Sequence, residues 1–209
     1  MSCQELGVAV GMADELEERV RTGDRAALAE LFARLRPRLE WLVRLRLDPQ
    51  LVRRLDAADV LQEAWLDVSR RFDEWLQKPD MPLHLWVRFL TVQKLAELHR
   101  RHGAQQRDAR REVPLQVGPS ASTASVAEHL AGSFTSPSQG LARAELLQRV
   151  QAALASLDEI DREVLVMRHF EELGNNEVAA LLGITAAGAS NRYVRALKRL
   201  RVALEGEPA

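Results

Sequence analysis

A glycine between two helix-capping residues near the C-terminus constrains the fold more than any other feature. Asn175 is a candidate cap for a short helix, Gly183 can adopt the positive φ that ends it, and Thr185 can cap the next helix. Two helices joined by a turn of about three residues form the helix-turn-helix motif. The order of these residues therefore predicts this motif in the last part of the chain.

The second helix of the predicted motif has an apolar face and a basic face. Spacings of three and four residues predict a buried stripe of Ala189, Tyr193, Ala196, Leu197, Leu200 and Leu204. Between Thr185 and Arg201 the chain has five cations and no anion. The candidates for contacting DNA are Ser190, Asn191, Arg192, Arg195, Lys198 and Arg199. A solvated basic helix would carry the same charges, but the order of cap, glycine and cap favours the DNA-binding motif.

The composition favours an all-α fold. Only 5% of the 209 residues are aromatic, strand-type alternation is scarce, and 46% of the residues are apolar, enough for one large or two small cores. The formal net charge of -1 argues against a general binder of polyanions, but the charges are unevenly placed. Residues 99–112 have five arginines against two acids. Residues 158–172 have six acids against two arginines, which suits a face for a protein partner.

One change of composition divides the chain. Residues 113–140 contain no Lys or Arg, and 18 of these 28 residues are Ser, Gly, Pro, Thr or Ala, which predicts a flexible linker. We therefore expect two small helical domains, at 24–112 and 141–209, the second containing the helix-turn-helix. Residues 1–23 are expected to be an N-terminal lead-in, either disordered or with a short helix around Glu15 to Arg21.

Three further helices are predicted before the linker. The first runs from Asp24 to about Leu47, with a kink at Pro37. Asp56 can cap a second helix from about Ala57 to Leu76, and a third starts near Pro82 and runs to His102. The buried stripe of the first helix is predicted to contain Leu28, Leu31, Leu35, Leu39, Leu42 and Leu45.

Several classes of site are not expected. The single cysteine, Cys3, excludes an internal disulfide and a cysteine-based zinc site, and His99 and His102 lack a convincing third metal ligand. No phosphate-binding loop, nucleophile elbow or Cys/His pair is present, so we expect no metal, no cofactor and no catalytic residue. No apolar run approaches the roughly 20 residues that span a bilayer, and no signal peptide opens the chain. We expect a cytoplasmic protein without membrane insertion.

Four segments carry a resemblance to a known family. The helix Asp59-Val-Leu-Gln-Glu-Ala-Trp65 and the segment Leu85-Trp-Val-Arg88, which is followed by two arginines, lie before the linker. The segments Leu157 to Arg168 and Leu182-Gly-Ile184 lie after it. In order and spacing the chain resembles the small two-domain bacterial sigma factors of the sigma-70 superfamily, the extracytoplasmic-function type. The resemblance covers about residues 24–204 apart from the linker.

The resemblance implies a function and its residues. Sigma factors of this type bind RNA polymerase core, direct it to specific promoters and promote DNA melting, and they are not enzymes. The implied core-binding residues, which would face the clamp helices of the largest subunit, are Asp59, Gln62 and Glu63. The implied readers of the minus-ten element are Trp86, Arg88, Gln93, Arg100 and Arg101. The implied readers of the minus-thirty-five element are Ser190, Asn191, Arg192, Arg195, Lys198 and Arg199.

The resemblance also implies partners. These are RNA polymerase core, through the largest-subunit clamp helices and the second-subunit flap, promoter DNA and, as for many members, an anti-sigma protein. Four positions depart from the common pattern. Gln93 and Glu97 stand where many members have Asn and Asp, and Gly188-Ala189 replaces a common Thr-Val pair at the start of the recognition helix.

Alternatives remain open from the residues alone. A free-standing transcriptional regulator would use the helix-turn-helix, with the N-terminal helices serving dimerisation. A helical adaptor would act only through protein contacts. Trp86 also has a second interpretation, because a tryptophan at apolar helical spacing is typical of a core position that supports the strand-reading surface from below.

Overall fold

The regular elements of the described part of the chain are all helices. The computed structural model describes residues 15–47, 51, 55–102, 120–132 and 140–205. A first helix, α1, covers residues 15–21. The others are α2 (Arg25–Arg46), α3 (Ala57–Gln77), α4 (Leu83–His102), α5 (Thr123–Gly132), α6 (Gly140–Ser156), α7 (Glu159–His169), α8 (Asn175–Leu182) and α9 (Ala186–Glu205). The predicted all-α class is confirmed.

Local capping chemistry sets where the first long helices begin. The Asp24 carboxylate accepts hydrogen bonds from the backbone N–H groups of Ala26 and Ala27, at 2.9 and 3.0 Å. Asp56 and Asp59 form a capping box at the start of α3, in which each carboxylate accepts the other residue's N–H. Both predicted starts are confirmed. Pro37 lies inside α2, and the helix continues through it from Arg25 to Arg46.

Helices α1 to α4 form the N-terminal bundle. Its buried side chains include Val20, Leu28, Leu42, Leu61, Phe72 and Leu90. Leu16 and Val20 of α1 are both buried in this core. Of the two alternatives for the residues before Asp24, the short helix is therefore the one that the structure has.

Helices α5 to α9 form the C-terminal bundle. The core beneath α5, α6, α7 and α9 includes Ala127, Val150, Leu154, Leu165, Val166 and Ala196. Helix α5 lies within the segment that the sequence predicts as linker, and it contributes the buried Val126 and Ala127. Its start is joined to the N-terminal bundle, because the backbone N–H of Ser122 donates to the Leu45 carbonyl at 2.7 Å.

Two side chains of the N-terminal bundle are buried in the C-terminal bundle. Leu45, near the end of α2, packs in the α5–α6–α7–α9 core rather than with the other leucines of its helix. Leu85, in the first turn of α4, packs with Val164, Met167, Leu173, Val178 and Ala189 beneath α8 and α9. Burial of a leucine side chain stabilises a contact by about 1.5–3 kcal/mol. Apolar burial therefore holds the two bundles together.

Four charged side chains complete this contact, and we call them the interbundle cluster: Arg46, Arg88, Glu163 and Glu171. Arg46 is fully buried, and its Nη2 and Nη1 atoms lie 2.7 Å from Glu163 and 2.8 Å from Glu171. Arg88 Nε donates to Glu171 at 2.6 Å. Burial lowers the pKa of Arg46, but Glu171 and Glu163 outweigh this effect and leave the pKa raised.

The interbundle cluster corrects one interpretation of the sequence. Residues 158–172 were expected to present an acidic face to a protein partner, but Asp161, Glu163 and Glu171 are buried. Each is ion-paired with arginines of the same chain. Burial of an unpaired carboxylate would cost several kcal/mol, so these acids require the arginines that cover them.

Candidate nucleic-acid interface

The predicted turn between two helices is present between α8 and α9. Gly183 has φ of 65°, in the left-handed region, and its position ends α8. The Thr185 Oγ1 atom accepts a hydrogen bond from the Gly188 N–H at 3.0 Å at the start of α9. The prediction for Asn175 is wrong by one residue. Gly174 is the N-cap, and because glycine has no side chain, Glu177 closes the turn by accepting the Gly174 N–H at 2.6 Å.

Helix α9 packs through the predicted stripe with one exception. Ala189, Ala196 and Leu200 are buried. Leu197 is 39% exposed, so its predicted burial is wrong. Its position directly after Ala196 turns it about 100° around the helix, away from the packed line. The side chain of Leu204 lies outside those that the structure describes.

A buried carboxylate holds two of the predicted DNA-contacting arginines, and we call this group the recognition cluster: Asp161, Arg192 and Arg195. Arg195 donates from Nε and Nη2 to the two Asp161 carboxylate oxygens, both at 2.7 Å. Arg192 Nη1 donates to Oδ1 at 2.7 Å. Asp161 has no exposed side-chain surface, whereas the side chain of Arg195 is 48% exposed.

The charges of the recognition cluster depend on each other. Burial raises the pKa of Asp161, but the hydrogen bonds from Arg195 and Arg192 outweigh it, so the pKa lies below its ordinary value. The hydrogen bond to Asp161 raises the pKa of Arg195. Asp161 and Arg195 are therefore both ionised at neutral pH.

The other predicted duplex-contacting residues lie along α9. Ser190 lines an open groove between α8 and α9, together with Gly174, Asn175, Asn176, Glu177, Ala186 and Ala187. Asn191, Lys198 and Arg199 are exposed. Asn191 and Arg195 lie one helical turn apart on the same face of α9. Lys198 and Arg199 line a separate groove against α6, with Ala153 and Ser156.

Two of the residues expected to read the minus-ten element are buried. Trp86 is 7% exposed and packs in the N-terminal core, with its ring 5.9 Å from that of Trp75. Arg88 is 3% exposed and bonds Glu171 in the interbundle cluster. In this arrangement neither presents a surface to DNA, since Trp86 faces the N-terminal core and Arg88 faces the C-terminal bundle. Of the two interpretations of Trp86, the structure therefore agrees with the core position.

The remaining minus-ten candidates lie along the C-terminal half of α4. Gln93 is half-buried and accepts a hydrogen bond from Arg71 Nη1 at 3.0 Å. Arg100 and Arg101 are exposed in the last turn, and Arg101 forms an ion pair with Glu97. This end of α4 is therefore the part that keeps cationic side chains at the surface.

The residues expected to bind polymerase lie on one end of α3. Asp59 and Gln62 are exposed, and Glu63 is half-buried. Gln62 lines a cleft of about 350 Å³ between α2 and α3 with Ala29, Phe32, Ala33, Arg36, Ala58, Leu61 and Trp65. An apolar cleft beside exposed carboxylate and amide groups has the character of a protein-binding surface.

A residue that the sequence reasoning missed connects this surface to α4. Lys94 is buried on α4, and its Nζ lies 2.8 Å from both Asp67 and Glu97 and 3.8 Å from Glu63. Burial lowers the pKa of Lys94, but hydrogen bonds to Asp67 and Glu97 outweigh it and leave the pKa raised. The lysine ties the two helices that carry the predicted polymerase and minus-ten residues.

Asp161 was also missed, although the sequence contains a signal for it. The acids of residues 158–172 were expected to face a protein partner. Asp161 lies three and four residues before Val164 and Leu165, which are buried, so helical spacing places its carboxylate on the packed side. An acid on an apolar stripe predicts a buried cationic partner.

The described part of the chain has neither a membrane-spanning helix nor a metal-binding cluster. No helix there is long and apolar enough to cross a membrane. The same residues contain no group of three or more His, Cys, Asp or Glu side chains that could hold a metal ion.

Residues 147–200 match the family model described as Sigma-70, region 4. The chain is also similar to curated sigma factors over most of its length. It is 25% identical over 192 residues to RNA polymerase sigma factor CnrH of Cupriavidus metallidurans, covering 92% of this chain and 94% of the relative. It is 28% identical over 179 residues to ECF RNA polymerase sigma factor SigD of Mycobacterium tuberculosis, covering 86% of this chain and 77% of the relative.

Among solved structures, the chain is similar to CnrH in its complex with the cytosolic domain of CnrY. The two share 21% sequence identity, with a TM-score of 0.49, and the match covers 92% of this chain and 96% of the other.

Proposed function

We propose that this chain, which belongs to the sigma-70 superfamily and within it to the extracytoplasmic-function type, binds RNA polymerase core, directs it to specific promoters and promotes DNA melting. The observation that carries the proposal is the extent of the similarity, which spans 92% of the chain and so includes both bundles. A free-standing regulator would need only the helix-turn-helix of residues 147–200 to be shared.

We assign core binding, minus-thirty-five recognition and minus-ten recognition to three different surfaces. The end of α3 with Asp59, Gln62 and Glu63, beside the α2–α3 cleft, would dock on the clamp helices of the largest polymerase subunit. The C-terminal bundle would contact the second-subunit flap and place α9 in the major groove of the minus-thirty-five element. An anti-sigma protein is the third expected partner, after polymerase and promoter DNA.

The end of α4 would read the minus-ten element. Arg100 and Arg101 supply exposed positive charge for the strand backbone, and Gln93 supplies a polar group near it. Trp86 would act from the core by supporting α4. None of these steps requires a reaction catalysed by this chain, and they take place in the cytoplasm, where polymerase works.

Binding both promoter elements at once would require the bundles to separate. Two elements about two helical turns apart lie about 70 Å from each other along the duplex. In the structure α4 contacts the C-terminal bundle through Leu85, which packs with Val164 and Met167 of α7, and through Arg88, which donates to Glu171 just after α7. Because Thr123–Gly132 of the predicted linker 113–140 form α5 in the C-terminal bundle, the connection from α4 to α5 is residues 103–122. These 20 residues would reach roughly 66–72 Å when fully extended.

The test is transcription in vitro from a genomic fragment library with purified polymerase core. We expect new start sites with the wild-type protein and none with the triple variant D59A/Q62A/E63A. The control triple variant D73A/E74A/Q77A removes the same three residue types from exposed positions at the other end of α3 and should keep the starts. Tight binding to fragments without polymerase, together with no new starts, would instead indicate a free-standing regulator.

A further inference from the structure

The recognition cluster has an asymmetry that a purely structural ion pair does not need. Asp161 is completely buried, whereas Arg195 keeps 48% of its side-chain surface exposed and Arg192 keeps 29%. A buried carboxylate requires paired cations, but one fully buried arginine would satisfy that requirement. The two arginines instead extend from the buried acid to the surface of α9.

The hydrogen-bond pattern fixes the orientation of the Arg195 guanidinium. This group has five N–H donors in a planar fork. The edge formed by Nε and one Nη2 hydrogen is bonded to both oxygens of Asp161. Asp158 lies 3.9 Å from Nη2, beyond hydrogen-bond distance. The second edge, formed by Nη1 and the other Nη2 hydrogen, therefore points away from Asp161.

That second edge has the geometry for one base. Guanine presents O6 and N7 as adjacent acceptors in the major groove, and arginine binds them with two parallel hydrogen bonds. Arg195 shares its face of α9 with Asn191, next to the groove lined by Ser190 and Ala187. An arginine held at one edge loses little rotational freedom when its other edge binds.

We propose that Asp161 is a positioning residue that sets base specificity: it orients Arg195 so that the free edge of the guanidinium reads a guanine in duplex DNA. This inference rests on the proposed function, in which α9 lies in the major groove of the minus-thirty-five element. Arg192, which shares the same carboxylate through a single bond, completes the charge balance of Asp161 and remains available for phosphate.

The experiment uses the full chain with polymerase core and a promoter library randomised through the minus-thirty-five element, with transcripts counted by sequencing. Wild-type protein should prefer guanine at one position by about tenfold or more, since a bidentate pair contributes about 1–3 kcal/mol of discrimination. D161N removes one carboxylate acceptor from the fork. R195K keeps the charge but has no fork. Both variants should lose most of the preference at that position and keep the preferences elsewhere.

Two matched controls separate this effect from general damage. Glu159 lies on the same helix as Asp161, but its carboxylate accepts a hydrogen bond from Ser120, and E159Q should keep the guanine preference. Arg201 is exposed later on α9, and R201K should keep it too. If D161N does not fold, R195K alone decides whether the fork reads the base.

Three results would overturn the inference. D161N could keep the full guanine preference, or it could weaken all positions equally while R195K leaves the guanine position unchanged. Wild-type protein could also fail to direct any transcription, in which case the proposed function fails as well. The first two results leave the proposed function intact, so the two failures are distinguishable.

Discussion

Helix α7 contributes one carboxylate to each of two ion clusters, and the clusters differ in what surrounds their arginines. Glu163 belongs to the interbundle cluster, where Arg46 and Arg88 are buried. Asp161 belongs to the recognition cluster, where Arg192 and Arg195 reach the surface. Two residues apart on a helix, the acids point to nearly opposite sides. The two acids are both buried, so the clusters differ in the exposure of their arginines and not in the burial of their carboxylates.

The largest difference between the clusters should appear when one acid is neutralised. E171Q leaves Arg46 and Arg88 buried with too little negative charge, which costs about 3–5 kcal/mol for a broken buried pair. We expect an earlier midpoint in urea unfolding and, because this contact joins the bundles, a larger radius of gyration by X-ray scattering.

The neighbouring acid supplies the control. Glu172 forms an ion pair with Arg38 across the same contact, but its side chain is 61% exposed. Exposed pairs contribute about 0–1 kcal/mol, so E172Q should change little. Equal midpoints and equal radii for E171Q and E172Q would show that the interbundle cluster does not hold the bundles together.

Low pH should weaken the ion pairs of both clusters, and the interbundle cluster should lose more stability than the recognition cluster. Burial raises the pKa of Glu171, but Arg46 and Arg88 outweigh it, so its folded-state pKa lies below the ordinary value, as does that of Asp161. The stability from such a group is fully present above the unfolded pKa, about 4, and is lost as pH falls through the folded pKa. We expect the free energy of unfolding to fall below about pH 4.

The E171Q variant isolates the contribution of Glu171 to this acid effect. It should lose less stability than the wild type between neutral pH and about pH 3, because the titrating group is gone. The measurement is urea unfolding at a series of pH values. Parallel curves for the two proteins would mean that Glu171 has the same pKa in the folded and unfolded states.

A smaller loss of stability than for E171Q is expected for D161N. Loss of hydrogen bonds to a charged group costs about 1–3 kcal/mol, and Arg192 and Arg195 can turn to water because they are partly exposed. The midpoint of urea unfolding should therefore lie between those of the wild type and E171Q. A loss as large as that of E171Q would remove the distinction between the two clusters.

Local features of the fold could be predicted from the sequence, whereas the contact between the bundles could not. The caps Asp56 and Thr185 and the turn at Gly183 depend on residues a few positions apart, and all three are confirmed. The predicted N-cap of α8, Asn175, was wrong by one residue. The N-cap is Gly174, whose N–H donates to the Glu177 carboxylate, and the preference for polar side chains at N-caps does not predict a glycine there.

The contact between the bundles could not be predicted because it is formed by residues far apart in the chain. Arg46 and Glu163 are separated by 117 positions, and Arg88 and Glu171 by 83. Periodicity along one helix shows which side is packed but not which helix covers it. Arg88 was expected at the DNA from the resemblance, and its burial follows from Glu171, a partner in the other bundle. Spacing does place Arg46 on the leucine stripe, seven residues after Leu39 and four after Leu42.

Helix α2 begins in one core and ends in another. Leu28 and Leu42 are buried in the N-terminal bundle, whereas Leu45 and Arg46 in the last turn are enclosed by the C-terminal bundle. A helix of 22 residues is a rigid rod about 33 Å long. The bundles cannot rotate against each other unless the last turn of α2, with Leu45 and Arg46, leaves the C-terminal bundle. Their relative motion is therefore between two discrete states, docked and undocked, rather than along a continuous hinge.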